Sequence, residues 1–527
     1  MSIEGVVTKI KVKVKKLMGY QLNAVEIALS YCKVIFEMIT GAGKTLIQAH
    51  IIKQDLEING VKFKIYVIVA PTILLTYQLY KDYVFDVFFP YKLFDFLNIH
   101  FFHTGQKMNS LEMEYMMKVL ELNPKSLQPS TKDSILKREI QFSKLLNRPL
   151  IVFTTYESLE TLRRVLEEEN EKITIGIFDE ATFLCRSGHN QTYRNLNIDK
   201  TYCFCPIIKS GPNGLGLDNP EVFGYDGKNV KKVSYSASDS LRDGNMVRPV
   251  LLTILSDKKY TTEDLDRSFD KILYESCKEI KNGFLKDKMK IVPKIMVNIQ
   301  DIGSLRQLKR SKFYQKIRDL GFDIFMVHSN KNVKCNINGN TVTRPDFLDT
   351  LFKTGEDDNK PMLVLHYEIL TRGINVPGLN VWLPFRELRG EGLINTMGRV
   401  CRVHPIDGNL KREGIIGVNE YDKMIKPNCF IALPELTHLN SDMSLYYEQQ
   451  IIELCEYGLE PENVLNFGNP SGQPKKQIPG KDIDGKTLKH VINKVTIKRR
   501  EIQLENKWRG KTLLERLHLL KSEKILN

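Results

Sequence analysis

Short apolar runs, each followed by a polar turn and a helical stretch, recur between residues 34 and 433. Runs of this kind are typical of strands buried on both faces, and their alternation with helices indicates parallel sheets. The pattern therefore predicts an α/β protein with two tandem units. The predicted strands are Val34–Phe36, Ile65–Val69, Leu150–Phe153, Ile173–Phe178 and Tyr202–Cys205 in the first half, and Ile295–Val297, Ile324–Val327, Met362–Leu365, Val381–Leu383, Ile415–Val418 and Cys429–Leu433 in the second.

The chain of 527 residues is long enough for about three domains. We expect a first domain at residues 17–250 and a second at residues 251–460, preceded by a basic segment at residues 1–16. Residues 107–148 lack a strand signal and are expected to form a helical insertion in the first domain. Residues 461–527 are expected to form a linker and a basic tail.

Positive charge is concentrated at the end of the chain. The net charge is +14, of which +9 lies in residues 471–527, where fifteen Lys or Arg stand against six Asp or Glu. This excess favours a polyanionic partner or a protein partner, although solubility alone also accounts for it. The run Lys9–Lys16 alternates lysines with β-branched residues, which predicts an edge strand with a solvated lysine face.

Several classes of protein are excluded by composition. With 42% hydrophobic and 27% charged residues, the chain is neither fibrous nor disordered. No apolar run reaches about 18 residues, so no membrane helix is expected. The start, Met1–Gly5, lacks the apolar core of a secretion signal. Nine cysteines without a CxxC pair predict reduced thiols, no zinc site and a cytoplasmic location.

The stretch Met38–Thr45 (MITGAGKT) follows the first predicted strand and precedes a helical run. Gly41 and Gly43 allow the tight turn that directs backbone N–H groups at a phosphate. Lys44 then reaches the β- and γ-phosphates, and Thr45 binds Mg²⁺. The first residue of the stretch is a methionine where the general P-loop pattern has a glycine. The stretch therefore predicts a nucleotide site that is close to a P-loop.

Two carboxylates, Asp179 and Glu180, follow the predicted strand Ile173–Phe178. An apolar strand that ends in two acids is the Walker-B arrangement, in which the first acid holds Mg²⁺ and the second polarises the attacking water. An isolated pair of this kind is common and means little. After a P-loop, in a later strand of the same sheet, it predicts a nucleoside triphosphatase.

Arg399 and Arg402 lie three residues apart in the second unit and therefore share one face of a helix. Two guanidinium groups presented by a separate unit suit the charge that develops on a γ-phosphate, in the manner of arginine fingers. A solvated basic helix face is the ordinary explanation for an isolated pair of this spacing.

Together these strings resemble superfamily 2 helicases of the DEAD/DEAH-box type, over roughly residues 17–435. Within that superfamily, the sequence is most similar to the motor subunits of type I restriction enzymes and the stand-alone phage and viral helicases. The family's motif I reads MxTGxGKT, so the methionine is ordinary there. The resemblance implies two tandem RecA-like domains with parallel sheets, ATP and Mg²⁺ in the cleft between them, and a short basic C-terminal extension.

The resemblance also implies individual nucleotide contacts. Gly19-Tyr20-Gln21 is similar to the family's glutamine motif, which places Gln21 on the adenine edge. Residues 371–377 (TRGINVP) resemble motif V, and residues 395–402 (NTMGRVCR) resemble motif VI. The implied catalytic residues are Lys44, Glu180, Arg399 and Arg402; the nucleotide-binding residues are Gln21, Thr40, Gly41, Ala42, Gly43, Lys44, Thr45, Gly373 and Asn375; and the magnesium ligands are Thr45 and Asp179.

Three further strings, at residues 67–72, 153–159 and 327–329, resemble the family's contacts with the nucleic-acid backbone, and motif V is implied to contribute one contact. The residues implied to contact nucleic acid are Pro71, Thr72, Thr155, Ser158, His328, Ser329 and Thr371.

One departure from the family pattern concerns motif III, which is usually Ser/Thr-Ala-Thr. The matching segment here is Cys203-Phe204-Cys205, and thiols form weaker hydrogen bonds than hydroxyls. The leading hypothesis is an ATP-driven helicase or translocase that acts on DNA. RNA helicases share the same core, so RNA is an alternative substrate. The alternative functions are an ATPase switch that binds nucleic acid without separating strands, and a motor subunit that works with a separate nuclease.

Overall fold

In the computed structural model, the described residues are 16–103, 129–208, 216–219, 223, 230–254, 262–286, 289–299, 301–327, 335–366, 376–386, 388, 390–418, 420–434 and 465–467. They form an α/β structure with two sheets, one of seven strands and one of nine. The predicted α/β architecture with two parallel sheets is therefore confirmed.

The first sheet is parallel throughout, with the strand order β3-β4-β2-β5-β6-β1-β7. Its central strands are buried along their whole length, as expected for a sheet covered by helices on both faces. Its strands are β1 (Lys33–Met38), β2 (Ile65–Ala70), β3 (Asn98–Phe102), β4 (Leu150–Thr155), β5 (Ile173–Phe178), β6 (Ile198–Cys205) and β7 (Val230–Tyr235).

The helices of this half begin at local sequence signals. Thr72 accepts a hydrogen bond from the Leu75 N–H, and Ser236 forms a capping box with Asp239. The helices are α1 (Gly19–Ser30), α2 (Lys44–Asn59), α3 (Ile73–Tyr83), α4 (Asp133–Leu145), α5 (Leu159–Glu168), α6 (Ser187–Arg194) and α7 (Ala237–Arg242), with a π-helix at Val84–Phe88 and 3₁₀ turns at Phe94–Phe96, Tyr156–Ser158 and Ala181–Cys185.

The second sheet has the order β12-β11-β10-β13-β9-β14-β15-β8-β16. Its strands are parallel except at one edge, where β11 and β12 form an antiparallel extension of β10. Its strands are β8 (Arg248–Ile254), β9 (Lys294–Asn298), β10 (Asp323–Val327), β11 (Cys335–Ile337), β12 (Asn340–Val342), β13 (Met362–His366), β14 (Val381–Pro384), β15 (Asn428–Pro434) and β16 (Leu465–Phe467).

Helices of the second half also begin at capping residues. Asp301, Ser311 and Thr343 each cap the helix that they precede. The helices are α8 (Thr262–Lys286), α9 (Ile302–Arg310), α10 (Lys312–Asp319), α11 (Arg344–Glu356), α12 (Gly390–Val400) and α13 (Pro405–Arg412), with a 3₁₀ turn at Tyr421–Lys423.

One predicted strand is wrong. Residues Ile415–Val418 form a turn after α13, in which Gly414 is left-handed and the Ile415 N–H donates to the Leu410 carbonyl at 2.9 Å. This is the hydrogen bond of a Schellman helix end, which an apolar residue often follows. The other predicted strands are confirmed, whereas β3, β7, β8, β16 and the β11–β12 pair were not predicted.

The sheets divide near the predicted domain boundary. Every described strand up to Tyr235 lies in the first sheet, and β8, which begins at Arg248, lies in the second. β16 also belongs to the second sheet although it follows residue 460. Of the predicted insertion at 107–148, the structure describes α4. The basic tail and all of the run Lys9–Lys16 except Lys16 itself lie outside the described residues.

Buried apolar side chains form one cluster on the outer face of each sheet and a third that continues from the first sheet to the second. Ile39 and Met397 belong to this third cluster, which joins the two halves. Within the described ranges, no helix has the length and hydropathy needed to cross a membrane.

Candidate functional site

A cavity of about 940 Å³ lies between the two halves of the molecule. The loop after β1 and the acids after β5 line it from the first half, because parallel strands end at one edge of their sheet. The end of α12, together with α13 and the turn after it, lines it from the second half. The predicted site residues in its wall are Thr40, Gly41, Gly43, Lys44, Thr45, Asp179, Glu180, Arg399 and Arg402.

The loop between β1 and α2 has the conformation that its glycines permit. Gly41 and Gly43 have φ of 94° and 72°, in the left-handed region that other residues rarely adopt. The Lys44 Nζ donates to the Met38 carbonyl at 3.2 Å, so its side chain folds back over the loop. The loop therefore presents the N-terminus of a sixteen-residue helix to the cavity, which favours an anion there.

Residues of α1 brace this loop. The Gln21 Nε2 and the Tyr20 hydroxyl both donate to the Ala42 carbonyl, at 3.1 and 2.7 Å. The Gln21 Oε1 accepts from the Met18 N–H at 2.9 Å, and Tyr20 stacks on Tyr235 with ring centroids 3.9 Å apart. Gln21 is buried against the loop, and its predicted contact with adenine stays a prediction.

Asp179 and Glu180 lie side by side but in different environments. Asp179 is buried and accepts a hydrogen bond from the Gln48 Nε2 at 2.8 Å. Burial raises the pKa of the Asp179 carboxyl, and the charge of Glu180 adds to this, while Lys44 and the Gln48 N–H oppose it. Glu180 has a φ of 48°, an unusual conformation that a non-glycine residue adopts at a cost.

The Glu180 Oε2 is buried and has no hydrogen-bond partner among the residues that the structure describes. A buried carboxylate oxygen without a donor is costly in the folded protein. It is the arrangement needed to accept a proton from a water molecule in the cavity.

The residues predicted to hold Mg²⁺ fit that ion. Thr45 and Asp179 line the same cavity and offer a hydroxyl and a carboxylate. Mg²⁺ is usually held by one or two protein oxygens, with water and phosphate completing its coordination. The described part of the chain contains no group of three or more His, Cys, Asp or Glu that could hold a metal ion. A Mg²⁺ site with two protein ligands, in which phosphate oxygens supply further ligands, agrees with that finding.

Arg399 and Arg402 approach the cavity from the second half. Arg399 is buried, and burial lowers its pKa to about 9, with the charge of Arg402 adding to this and that of Glu180 opposing it. Burial likewise lowers the pKa of Arg402 to about 10. Both guanidinium groups stay charged at neutral pH. The buried Arg399 and the half-buried Arg402 thus face a cavity whose opposite wall carries two acids and the loop after β1.

α12 ends at Val400, so Arg399 lies in the helix and Arg402 lies just after it; the prediction that both arginines share one helix face is wrong. α12 contacts the loop after β1 directly. The Thr40 Oγ1 donates to the Asn395 Oδ1 at 2.6 Å. A Cβ placed on Gly398 would lie 2.6 Å from the Thr40 Cβ, so only glycine permits this approach. The structure therefore brings together both predicted halves of the nucleotide site.

The predicted nucleic-acid contacts are less uniform. Thr72 is exposed at the N-terminus of α3, beside the partly buried Pro71. Thr155 and Ser158 are buried, with their hydroxyl oxygens 3.2 Å apart. Five predicted site residues lie outside the described ranges: His328, Ser329, Thr371, Gly373 and Asn375.

The segment matched to motif III lies at the centre of the first sheet. β6 runs between β1 and β5, the two strands that lead to the loop and to the acids. Cys203 and Cys205 are fully buried, and the Cys205 Sγ lies 3.8 Å from the Phe36 carbonyl. Burial raises the pKa of both thiols, so neither is a thiolate at neutral pH.

Sequence reasoning missed several residues of the site. Gln48, the partner of Asp179, is one polar residue within a helix and gives no signal. Tyr235 ends a strand that was not predicted. The missed residues in the cavity wall include Asp82, Asp243, Asn245, Lys411 and Arg412.

Residues 14–204 match the family model described as "Type III restriction enzyme, res subunit". No curated protein matches the chain. Among solved structures, the ATP-dependent Type ISP restriction-modification enzyme LlaBIII bound to DNA superposes with a TM-score of 0.61 at 14% identity, covering 95% of this chain and 35% of that one. A nuclease-deletion mutant of the Type ISP restriction-modification enzyme LlaGI, in complex with a DNA substrate mimic, gives 0.53 at 14% identity, covering 94% and 34%. The chain thus spans about a third of the length of each. At this identity the likeness establishes the shared fold.

Proposed function

We propose that this chain, whose first half is a helicase-like domain of the restriction res-subunit type on a tandem RecA-like fold, hydrolyses ATP between its two halves and uses the cycle to move along nucleic acid. The resemblance to superfamily 2 helicases, which the family model and the fold confirm, is the premise.

One observation carries the proposal: a single cavity unites the phosphate loop, the acid pair and the two arginines. The first two come from one sheet and the arginines from the other half of the chain. A site divided in this way is complete only when the halves are together. Hydrolysis is therefore coupled to their relative position, which is what a motor requires.

Each residue has a role that follows from its environment. The loop with Lys44 holds the phosphates at the N-terminus of α2, and Thr45 and Asp179 hold Mg²⁺. The Glu180 carboxylate, with its unpartnered oxygen, orients and deprotonates the attacking water. Arg399 and Arg402 stabilise the charge that develops on the transferred phosphoryl group. Mg²⁺ would neutralise the phosphate oxygens between these two walls.

The class of polynucleotide is a further part of the proposal. The two similar structures contain DNA or a DNA substrate mimic according to their descriptions, and this chain spans about a third of each. The net charge of +14 favours a polyanion of either kind. We propose DNA as the substrate, with RNA as the alternative.

The test is the ATPase rate of the purified chain alone and with single-stranded DNA, double-stranded DNA or RNA of matched length. Turnover is expected to rise most with DNA. The same series with Glu180→Gln is the background control. Absence of Glu180-dependent turnover under every condition would contradict the proposed ATPase activity. Stimulation by RNA and not by DNA would identify RNA as the substrate.

A second candidate function is an ATPase switch that binds nucleic acid without separating strands. The thiols at Cys203 and Cys205 favour it, because they occupy the place of hydroxyls in the segment thought to couple hydrolysis to unwinding. A strand-displacement assay at saturating ATP separates the two functions. DNA-stimulated hydrolysis without displaced strand supports the switch or a translocase, which a triplex-displacement assay then distinguishes.

A further inference from the structure

A buried lysine lies directly behind the two arginines. Lys426 precedes β15, is almost fully buried and takes no part in the cavity wall. Its Nζ donates to the carbonyls of Val400 at 2.7 Å and Arg402 at 2.7 Å, and to that of Leu379 at 2.6 Å. An ammonium group has three hydrogens, so the three carbonyls use all of them.

The carbonyls that Lys426 binds determine what it holds. Val400 is the last residue of α12, and its carbonyl has no partner within the helix. Val400 directly follows Arg399 in the chain, and the second bound carbonyl is that of Arg402 itself. Leu379 lies just before β14, which is an inner strand of the second sheet. The lysine therefore joins the chain on which both arginines are mounted to the rigid core of the second half.

Lys426 is itself fixed by a buried carboxylate. The Asp407 side chain, in α13, accepts the N–H groups of Ile425 at 2.8 Å and Lys426 at 2.9 Å. Asp407 is fully buried. The backbone of Lys426 is therefore fixed. Because the Lys426 side chain then binds the Arg402 carbonyl directly, the position of Arg402 can vary little.

The same segment is hydrogen-bonded to the connection between the halves. The Val247 N–H donates to the Cys401 carbonyl at 2.9 Å, and Met246 forms an isolated antiparallel bridge with Arg402. Residues 246 and 247 lie between α7 of the first half and β8 of the second. The backbone at 400–402 is thus held from two sides, by Lys426 and by the connection.

We propose that Lys426 is a positioning residue that holds Arg399 and Arg402 in the geometry needed to contact the γ-phosphate, an inference that rests on the proposed ATPase function. It does not touch the nucleotide. Its loss leaves the carbonyls at the end of α12 without donors, so the end of the helix rearranges and the guanidinium groups shift.

The test compares Lys426→Met with Lys294→Met. Both lysines are buried in the second half, and burial lowers the pKa of both. The Lys294 Nζ donates to the Gly355 carbonyl and not to the carbonyls of Val400 and Arg402. We expect Lys426→Met to lower kcat about 100-fold, the loss that a misplacement of about 1 Å produces, with KM for ATP changed less than about threefold. Lys294→Met should lower kcat by less than about threefold at a comparable loss of Tm.

Binding provides a readout that needs no turnover. Arginines placed on a γ-phosphate favour a non-hydrolysable ATP analogue over ADP, so Lys426→Met should reduce that preference while leaving the Kd for ADP unchanged. If Lys426→Met retains both kcat and this preference, or if both lysine variants lose kcat equally, the inference is wrong and the ATPase stands. If the wild type binds no nucleotide, both proposals fail.

A pH profile of the wild type tests the inference even if Lys426→Met does not fold. Burial lowers the pKa of Lys426 to about 8, and the charged or titratable groups around it are Arg402, Asp407, Cys401 and Cys429. Loss of a proton leaves two N–H donors for three carbonyls, so kcat should fall as pH rises through about 8. Burial raises the pKa of Cys401, so that thiol does not titrate there. Because burial lowers the pKa of Arg399 to about 9, a decline that begins only near pH 9 belongs to Arg399, and a kcat that stays constant up to that pH would overturn the proposal.

Discussion

The two walls of the cleft are built in different ways. In the first half, Lys44 donates to Met38 a few residues away, and strand, loop and helix follow one another in the chain. In the second half, the arginine helix is held by partners distant in sequence, such as Thr40 and Lys426. The first wall is complete within one domain, whereas the second depends on how the domains meet.

This difference assigns different tasks to the walls. Under the proposed function, a loop held by contacts within its own half would bind phosphate in any arrangement of the domains. Arginines held by the connection and by an interdomain hydrogen bond would reach the phosphate only when the cleft is closed. We therefore expect binding to depend on the first wall and acceleration of the chemical step to depend on both. The predictions below separate these tasks.

The largest effect is expected in the first wall. Lys44→Ala and Glu180→Gln should each abolish ATP turnover, because one removes phosphate charge compensation and the other removes water activation. Lys44→Ala should also weaken nucleotide binding, whereas Glu180→Gln should not. Steady-state ATPase assays and nucleotide titrations measure both. Lys53→Ala, which removes a lysine of the same helix that pairs with Glu57 at 2.8 Å, is the control and should retain turnover.

A smaller but selective loss is expected in the second wall. Arg399→Ala should lower kcat by about 10²–10³-fold, as the removal of one transition-state donor does, while nucleotide binding stays measurable. Binding titrations beside single-turnover kinetics separate the two quantities. If binding and hydrolysis fell in equal proportion, Arg399 would belong with the binding wall and the comparison would not hold.

The contact between the walls can be altered by one methyl group. Gly398→Ala places a Cβ 2.6 Å from the Thr40 Cβ, whereas a Cβ on Gly392, in the same helix, meets nothing within 4 Å. Gly398→Ala should hold the cleft open and lower kcat about tenfold or more, with ADP affinity nearly unchanged. Gly392→Ala should retain kcat and stabilise the protein by about 0.5–1 kcal/mol.

Thermal unfolding and ATPase assays on this matched glycine pair give a direct comparison. Equal kcat values for the two variants would mean that the walls do not meet in the active protein.

The smallest expected effect is on stability. The folded protein holds the Asp179 proton at a pH where an unfolded aspartate, with a pKa of about 3.9, has lost it, because burial raises the Asp179 pKa. The contribution of Asp179 to stability therefore falls as pH rises through its folded pKa. Asp179→Asn should have a higher Tm than the wild type at pH 7, by roughly 2–4 °C for each kcal/mol by which the buried charge destabilises the wild type. The difference in Tm should vanish below about pH 4.

Excess Mg²⁺ with ADP should raise the Tm of the wild type more than that of Asp179→Asn, since the loop binds ADP in both but only the wild type has a buried charge for the ion to compensate. A wild type that is the more stable of the two at pH 7 without ligand would contradict the raised pKa.

The sequence by itself determined the fold class and predicted the chemistry that we propose for each wall. Met38–Thr45 and Asp179-Glu180 are contiguous strings whose proposed function follows from strand, turn and helix order, and the parallel arrangement then brings them to one edge of the sheet. Arg399 and Arg402 were recognisable because their spacing in the sequence matches a known pattern. In each case the recognisable pattern lies within a few residues, so it is visible in the sequence.

Tertiary structure decided what holds the second wall. Asn395 meets Thr40, and Lys426 meets the end of α12, through contacts between residues distant in sequence that no local pattern encodes. The apolar stretch Ile415–Val418 had the composition of a strand but became a helix end beside the cavity, because Gly414 and the Leu410 carbonyl offered a local alternative. Burial then set the charges, raising the pKa of Asp179 and lowering that of Lys426. Desolvation depends on every neighbour in three dimensions, which is why only the folded chain determines it.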